Sequence, residues 1–372
     1  MTSLLHGISD PNPYKLLTPG PLTTTLAVRE AMLIDRCTWD ADYKALTERV
    51  RRRLLEVACA DPGEFTAVLM QGSGTFGVES VLTSVPGPND RVLVLVNGAY
   101  SVRMCSILEA AGVAHDRMDF AWDEVPQAAA VADWLDAHPE TTMVSMVHSE
   151  TTTGILNDIE SVAREVKARG RIMVVDAMSS FGGVPMNLDA LGADFVISSA
   201  NKCIQGVPGF SFIIARRSAL EASAGNARSV SLDLYEQWRV LEKDAGKWRF
   251  TSPTHVVAAF DEALDEFIAQ GGVAARAARY RRCSRMLRDG MKALGFRPYI
   301  DEAHQGPIIT TFLYPTPDFK FEELYEWLKS RGYVIYPGKL TEVDSFRIGN
   351  IGEIYPEDIE RVLALVKEFM QR

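Results

Sequence analysis

Three short segments carry residue types whose chemistry converges. Gln71-Gly72-Ser73-Gly74-Thr75-Phe76-Gly77 follows an apolar run and opens a helical pattern near Thr75. Its glycines let backbone approach an anion, and a helix N-terminus with two hydroxyls suits a phosphate. Arg171-Ile172-Met173-Val174-Val175-Asp176-Ala177 is an apolar strand ending in an acid. Ligands bind at the ends of parallel strands, and a carboxylate there could hold a protonated ring nitrogen. It could equally cap the next turn. Asp194 to Lys202 is a further strand leading to a lysine, followed by the Gln205-Gly206-Val207-Pro208-Gly209 loop. A lysine desolvated there can be partly neutral and attack an aldehyde as a Schiff-base nucleophile. It could also bridge a surface acid. The order, with Lys202 26 positions after Asp176 and both after the Gly-Ser-Gly-Thr turn, favours one shared site.

A nicotinamide site is the rival for the glycine turn. Gly72, Gly74 and Gly77 fit G-x-G-x-x-G, a pattern that is weak on its own. The rival also needs an acid after the next strand, where Val94-Leu95-Val96-Asn97-Gly98 has none. A glycine turn with no ligand is the plainer alternative.

The elements that would position these residues alternate. Thr66–Met70, Val92–Val96, Met143–Val147, Ile172–Val175, Phe195–Ile197 and Phe210–Ile214 read as buried strands, with helical patterns such as Val102–Ala111 and Ile159–Ala168 between them. Near-continuous apolar strands alternating with helices predict an α/β fold whose mostly parallel sheet is covered on both faces. After about Thr254 the character changes to helices Val256–Gln270 and Val273–Leu294, strand Ile308–Tyr314, helix Phe321–Arg331, strand Phe346–Ile348 and helix Pro356–Gln371. Pro356, Glu357 and Asp358 mark the start of that last helix. The expected domains are an N-terminal arm over 1–21, a large domain over 22–254 and a smaller α+β domain over 255–372.

The 372 residues are 47% hydrophobic and 24% charged, with a net charge of −10, which disfavours nucleic acid as a partner. The basic clusters Arg49–Arg53 and Arg276–Arg285 read as solvated helix faces. Five widely spaced cysteines form neither a disulfide framework nor a metal site. No signal peptide opens the chain at Met1–Asp10, and no apolar run suggests a membrane span, so the expected location is the cytoplasm.

Taken together, the chain resembles the fold-type I pyridoxal-phosphate enzymes. Within them it is similar to class V aminotransferases, the group of the alanine–glyoxylate and serine–pyruvate enzymes, and above all to their phosphonate branch. The likeness rests on Leu16-Leu17-Thr18-Pro19-Gly20-Pro21, Cys37-Thr38-Trp39-Asp40, Met70 to Thr75, His148-Ser149-Glu150-Thr151-Thr152-Thr153-Gly154, Val175 to Gly183, Ser199 to Gly206, Arg249 to His255 and Phe346 to Gly352. It runs in order along nearly the whole chain.

The resemblance implies a large domain with a seven-stranded sheet and a homodimer. It implies that Lys202 holds the cofactor and shuttles a proton, and that Asp176 pairs with the pyridine nitrogen. Ser73, Gly74 and Thr75 would hold its phosphate, Tyr100 would stack on its ring in place of a more usual Trp, and Thr151 or Thr152 would reach its phenolic oxygen. Asn201 would join this set, Thr251 and Arg249 would come from the partner subunit, and Arg347 would clamp substrate acid beside a loop carrying Thr18 and Gly20. The implied reaction transfers the amino group of 2-aminoethylphosphonate to pyruvate, giving phosphonoacetaldehyde and alanine. Alternatives are an alanine–glyoxylate, serine–glyoxylate or serine–pyruvate aminotransferase, and a lyase or desulfurase using Cys203. His148, Trp39 and Trp248 could line the site or simply pack.

Overall fold

Six apolar segments and one polar one build the central sheet. The computed structural model describes residues 12–340 and 342–372; Met1–Asp10 and the first half of the expected N-terminal arm lie outside them. The strands are β1 (Phe65–Gln71), β2 (Val92–Val96), β3 (His115–Asp119), β4 (Met143–Val147), β5 (Ile172–Asp176), β6 (Phe195–Ser199) and β7 (Phe210–Arg216). Their order is β1-β7-β6-β5-β4-β2-β3. All run parallel except β7, which is antiparallel to both β1 and β6. β2, β4 and β6 are buried along their whole length, as strands covered on both faces must be.

β3 escapes the apolar-run criterion because His-Asp-Arg-Met-Asp is half-exposed at the sheet edge. Charges suit an edge, where they discourage pairing with another chain. Arg91 and Asp116 form an ion pair at its start.

The helix Ala41–Ala58 corrects the reading of Arg49–Arg53 as a solvated face. Arg51 is buried and donates to the Ala67 carbonyl at 2.7 Å and the Thr66 hydroxyl at 3.0 Å, with Glu48 and Glu242 as ion-pair partners. Arg49 and Arg53 both pair with Asp261 of the helix Thr254–Ala269. Arg276 also departs from the expected solvated face. It is buried and donates to the Cys203 carbonyl at 2.7 Å. A cluster of arginines is compatible with burial when carbonyls and carboxylates satisfy the guanidinium groups.

The helix Thr254–Ala269 packs Val257, Phe260, Leu264 and Phe267 into the first core, although 255 was expected to open the smaller domain. A second core gathers Leu287, Met291, Phe312, Phe346 and Ile348 with the final helix Pro356–Met370. It covers a three-stranded antiparallel sheet of Ile309–Leu313, Ser345–Gly349 and Tyr336–Pro337. The final helix begins as expected, with Asp358 accepting from the Tyr355 N–H at 2.9 Å.

The chain's beginning belongs with this second unit. Lys15–Leu16 pairs in parallel with Tyr333–Val334, and the Gly349 N–H donates to the Leu17 carbonyl at 2.9 Å. The following residues, 18–21, then cross to the large sheet. Among the described residues no helix is long and apolar enough to cross a membrane.

Candidate active site

β1, β5 and β6 deliver their C-terminal ends to one place. The helix Gly74–Ser84 starts directly after β1, Asp176 ends β5, and Lys202 lies three residues beyond β6. Between them is a cavity of about 200 Å³ lined by Ser73, Thr75, Tyr100, Asp176, Asn201 and Lys202 among others. Gly74 lines it too, and a Cβ there would run into Met178 on the opposite wall.

The helix end is uncommitted. Ser73 makes no side-chain cap, so its hydroxyl and the first helical N–H groups remain available to an anion. Gly72 enters the turn at φ +112°, a conformation that favours glycine. Its N–H donates to the Gly209 carbonyl at 3.0 Å, which ties the turn to the loop after Lys202.

Asp176 is buried, and its Oδ1 accepts the Met178 N–H at 2.8 Å. Burial pushes its carboxyl up to about 6; Glu150 adds to this, while the Met178 N–H and Lys202 oppose it. Burial pushes the Lys202 amine down, with Tyr100 and Asp176 opposing. Lys202 Nζ donates to the Pro19 carbonyl at 2.7 Å. The segment 18–21 therefore lies directly on the lysine. A Cβ at Gly20, where φ is +118°, would stand 2.7 Å from Nζ and 2.9 Å from Cδ. Thr18 shapes this loop from within, donating to the Pro21 carbonyl at 2.7 Å.

Arg347 hangs over the same region from the second unit. It is 1% exposed, with Nε donating to the Pro337 carbonyl and Nη1 to the Thr151 carbonyl, each at 2.9 Å. Among the described residues it forms no ion pair. Burial lowers its pKa, and Tyr100, Tyr336 and Glu150 oppose this. A buried, unpaired guanidinium is costly unless an anion joins it.

Four cations surround Tyr100. Arg103 lies 5.0 Å and Lys339 Nζ 4.8 Å from its ring centroid, and Lys202 and Arg347 act on its hydroxyl. Burial alone would raise that hydroxyl, but a hydrogen bond with Thr151 and the charges of Lys202, Lys339 and Arg347 leave it lowered.

Ser73, Gly74, Thr75, Tyr100, Asp176, Asn201 and Lys202 thus meet at one cavity. Thr151 and Thr152 stand behind Tyr100 rather than on the cavity wall. The Thr152 hydroxyl is engaged by Glu150 at 2.7 Å, whereas Thr151 reaches Tyr100. Arg249 and Thr251 are elsewhere: Arg249 donates to the Val230 carbonyl at 2.7 Å, and Thr251 lines a separate hollow with Phe76 and Phe250. His148 lies outside the site, in a cleft with Asn157 and Asp158, and burial lowers it to about 4. Trp39 is 70% exposed, and Trp248 packs in the first core. Cys203 is buried, donates to the Ser179 carbonyl and is pushed up to about 12 by burial. Such a thiol is inert, which argues against a persulfide carrier.

Two residues of the site had gone unread. Arg103 donates to the Thr75 hydroxyl at 3.1 Å and lines the cavity. Its spacing of three from Tyr100 on the helix Ala99–Ala110 was the available signal. Glu150 is fully buried behind the site and accepts from the Tyr100 N–H at 3.2 Å and the Thr152 N–H at 3.1 Å. Gly98 makes room for it, since a Cβ there would collide with the carboxylate. Burial raises this carboxyl.

Comparison with known proteins adds relatives and folds. The family description aminotransferase class V matches residues 42–341. The chain is 54% identical to a 2-aminoethylphosphonate–pyruvate transaminase of Syntrophobacter fumaroxidans, over 97% of each chain. It is 54% identical to the protein of the same name from Lysinibacillus sphaericus, over 96% of this chain and 97% of the other. Among solved structures, a ureidoglycine–glyoxylate aminotransferase from Bacillus subtilis superposes with a TM-score of 0.89 at 21% identity, covering 98% of this chain and 95% of that one. A pyridoxamine–pyruvate aminotransferase from Mesorhizobium loti does so with a TM-score of 0.86 at 25% identity, covering 97% and 93%.

Proposed function

Since the chain belongs to the class V aminotransferases, we propose that it moves the amino group of 2-aminoethylphosphonate to pyruvate, giving phosphonoacetaldehyde and L-alanine, with pyridoxal 5'-phosphate as cofactor. The observation that carries this reading is a cavity built from Ser73–Thr75, Tyr100, Asp176 and Lys202, with the buried Arg347, which has no ion pair among the described residues, acting on Tyr100 from beside it, in a chain 54% identical to transaminases of that name.

The residues fit the cofactor. An uncapped helix start suits its phosphate, and Asp176 can offer its Oδ2 to a ring nitrogen. Pyridoxal phosphate, when bound, supplies a cationic ring that stabilises negative charge at the substrate carbon.

Each side chain then has a task. Ser73, Gly74 and Thr75 would hold the phosphate, and Arg103 would add charge beside Thr75. Asp176 would hold a protonated ring nitrogen, beside which the ionised carboxylate that burial alone disfavours would be favoured. Lys202, lowered by burial, presents a neutral amine that can attack a carbonyl carbon. The same amine could take a proton from the amine-bearing carbon as general base and give it up again as the conjugate acid. Tyr100 would pack against the ring, and Asn201 accepts from the Ser199 hydroxyl at 3.0 Å in the turn that carries the lysine. Thr151, which bonds Tyr100, is better placed for the phenolic oxygen than Thr152, which serves Glu150. Arg347 offers a planar fork to carboxylate or phosphonate. The Thr18–Gly20 loop excludes water over Lys202.

The functional unit proposed is a cytoplasmic homodimer. Phe76 and Phe250 are 49% and 51% exposed around the hollow that holds Thr251. Such a patch beside the phosphate turn suits a second subunit that contributes Thr251 and Arg249 across the interface. All five cysteines are free, in keeping with a reducing compartment.

A coupled assay for phosphonoacetaldehyde tests the activity. Turnover of 2-aminoethylphosphonate with pyruvate is expected; its absence alongside brisk turnover of serine and glyoxylate would refute the substrate. Borohydride reduction should fix the cofactor to Lys202, and Lys202→Ala should lose both label and turnover. A label on another lysine overturns that assignment.

A further inference from the structure

The substrates of the proposed reaction differ in where and how strongly they are charged. In alanine the carboxylate shares its carbon with the amine and carries one negative charge. In 2-aminoethylphosphonate one more carbon intervenes, and a phosphonate, like a phosphate monoester, carries between one and two negative charges near neutral pH. One arginine can neutralise the charge common to both. The longer, doubly charged group needs a further cation that can adjust its position.

We infer that Lys339 is that cation: a specificity-determining residue that reads the second negative charge of a phosphonate while leaving carboxylate recognition to Arg347. The inference rests on the proposed activity and extends it. Arg347 is rigid, held by two backbone carbonyls. Lys339 is exposed, and among the described residues it forms no ion pair. Its Nζ is 4.8 Å from the centroid of the Tyr100 ring, on a residue that lines the cavity and feels the charge of Arg347. Tyr336–Pro337, two residues before Lys339, pairs with the strand that carries Arg347, so both cations issue from one edge of the second unit. Arg103, the other cation on Tyr100, is committed to Thr75 at the opposite, phosphate-turn end. A compact ammonium on a flexible stem suits a charge that differs between substrates, as a rigid fork suits the one they share.

Two unreactive probes separate the cations. Ethylphosphonate and propionate lack the amine and differ in headgroup charge. Titration calorimetry on holoenzyme should show Lys339→Met weakening ethylphosphonate about tenfold, about 1.4 kcal/mol. Propionate should change by less than about twofold, and Lys339→Arg should restore ethylphosphonate binding. In steady state, KM for 2-aminoethylphosphonate should rise with the methionine variant far more than kcat falls. Equal losses for both probes, or no loss for ethylphosphonate, overturn the inference. If the wild type binds ethylphosphonate through Lys339 but does not turn over 2-aminoethylphosphonate, the proposed activity fails while the dianion site stands.

Discussion

Asp176→Asn should stabilise the cofactor-free protein while crippling the loaded enzyme. The carboxyl is buried and raised from 3.8 to about 6, first by desolvation and further by Glu150. A carboxyl whose folded value exceeds its unfolded one binds its proton more tightly when folded. Its contribution is therefore harmless below about pH 4, becomes a penalty as pH rises between the two values, and is complete above about 6. The gap corresponds to about 3 kcal/mol at pH 8 and about 1 kcal/mol at pH 4.5. Asparagine keeps the volume and an oxygen for the Met178 N–H, so the neutral side chain removes the penalty and little else. Urea unfolding of both cofactor-free proteins, followed through the buried Trp238 and Trp248, measures the difference. An asparagine advantage that grows from pH 4.5 to 8 is expected, together with a loss of transamination of at least about a hundredfold in the loaded form. A stability difference that is flat with pH, or a variant less stable at pH 8, would refute the reasoning.

Further expectations concern the two flanks of the site. Gly20→Ala places a methyl 2.7 Å from Lys202 Nζ at a φ of +118°; kcat/KM should fall at least about tenfold with circular dichroism unchanged, and undiminished turnover would show that the loop yields freely. Arg103→Ala removes the donor to the Thr75 hydroxyl and a charge beside the phosphate turn. The cofactor's dissociation constant should rise about tenfold, read by equilibrium dialysis, and an unchanged constant would remove Arg103 from the cradle.

The strand-and-lysine core of this site is legible in the sequence because it is local. Ser73, Asp176 and Lys202 each lie at the end of an apolar run, and parallel-sheet geometry brings such ends together. β3 was not legible, because an edge strand of His-Asp-Arg-Met-Asp has neither an apolar run nor alternation strong enough to mark it. Arg51 and Arg276 misled in the opposite sense: charge argued for solvent, yet carbonyls and carboxylates distant in sequence satisfy both. Glu150 was invisible as a buried group because its burial depends on Gly98, some fifty positions earlier. Arg347 could be placed only through family likeness, since nothing near it in sequence reveals that it is buried without an anion.

The reversed strand β7 has a consequence for biosynthesis. It sits between β1 and β6, and Ser211 bonds the carbonyl of Met70 across a separation of 141 residues. The phosphate turn after β1 is thus pinned by chain made long after it, as the Gly72–Gly209 bond repeats. A nascent chain that has passed Asp176 and even Lys202 still lacks the strand that joins them to Ser73. At about 5–20 residues per second, a ribosome would spend seconds presenting half of a cofactor site. Loading is consequently a late step, reserved for chains that have closed the sheet.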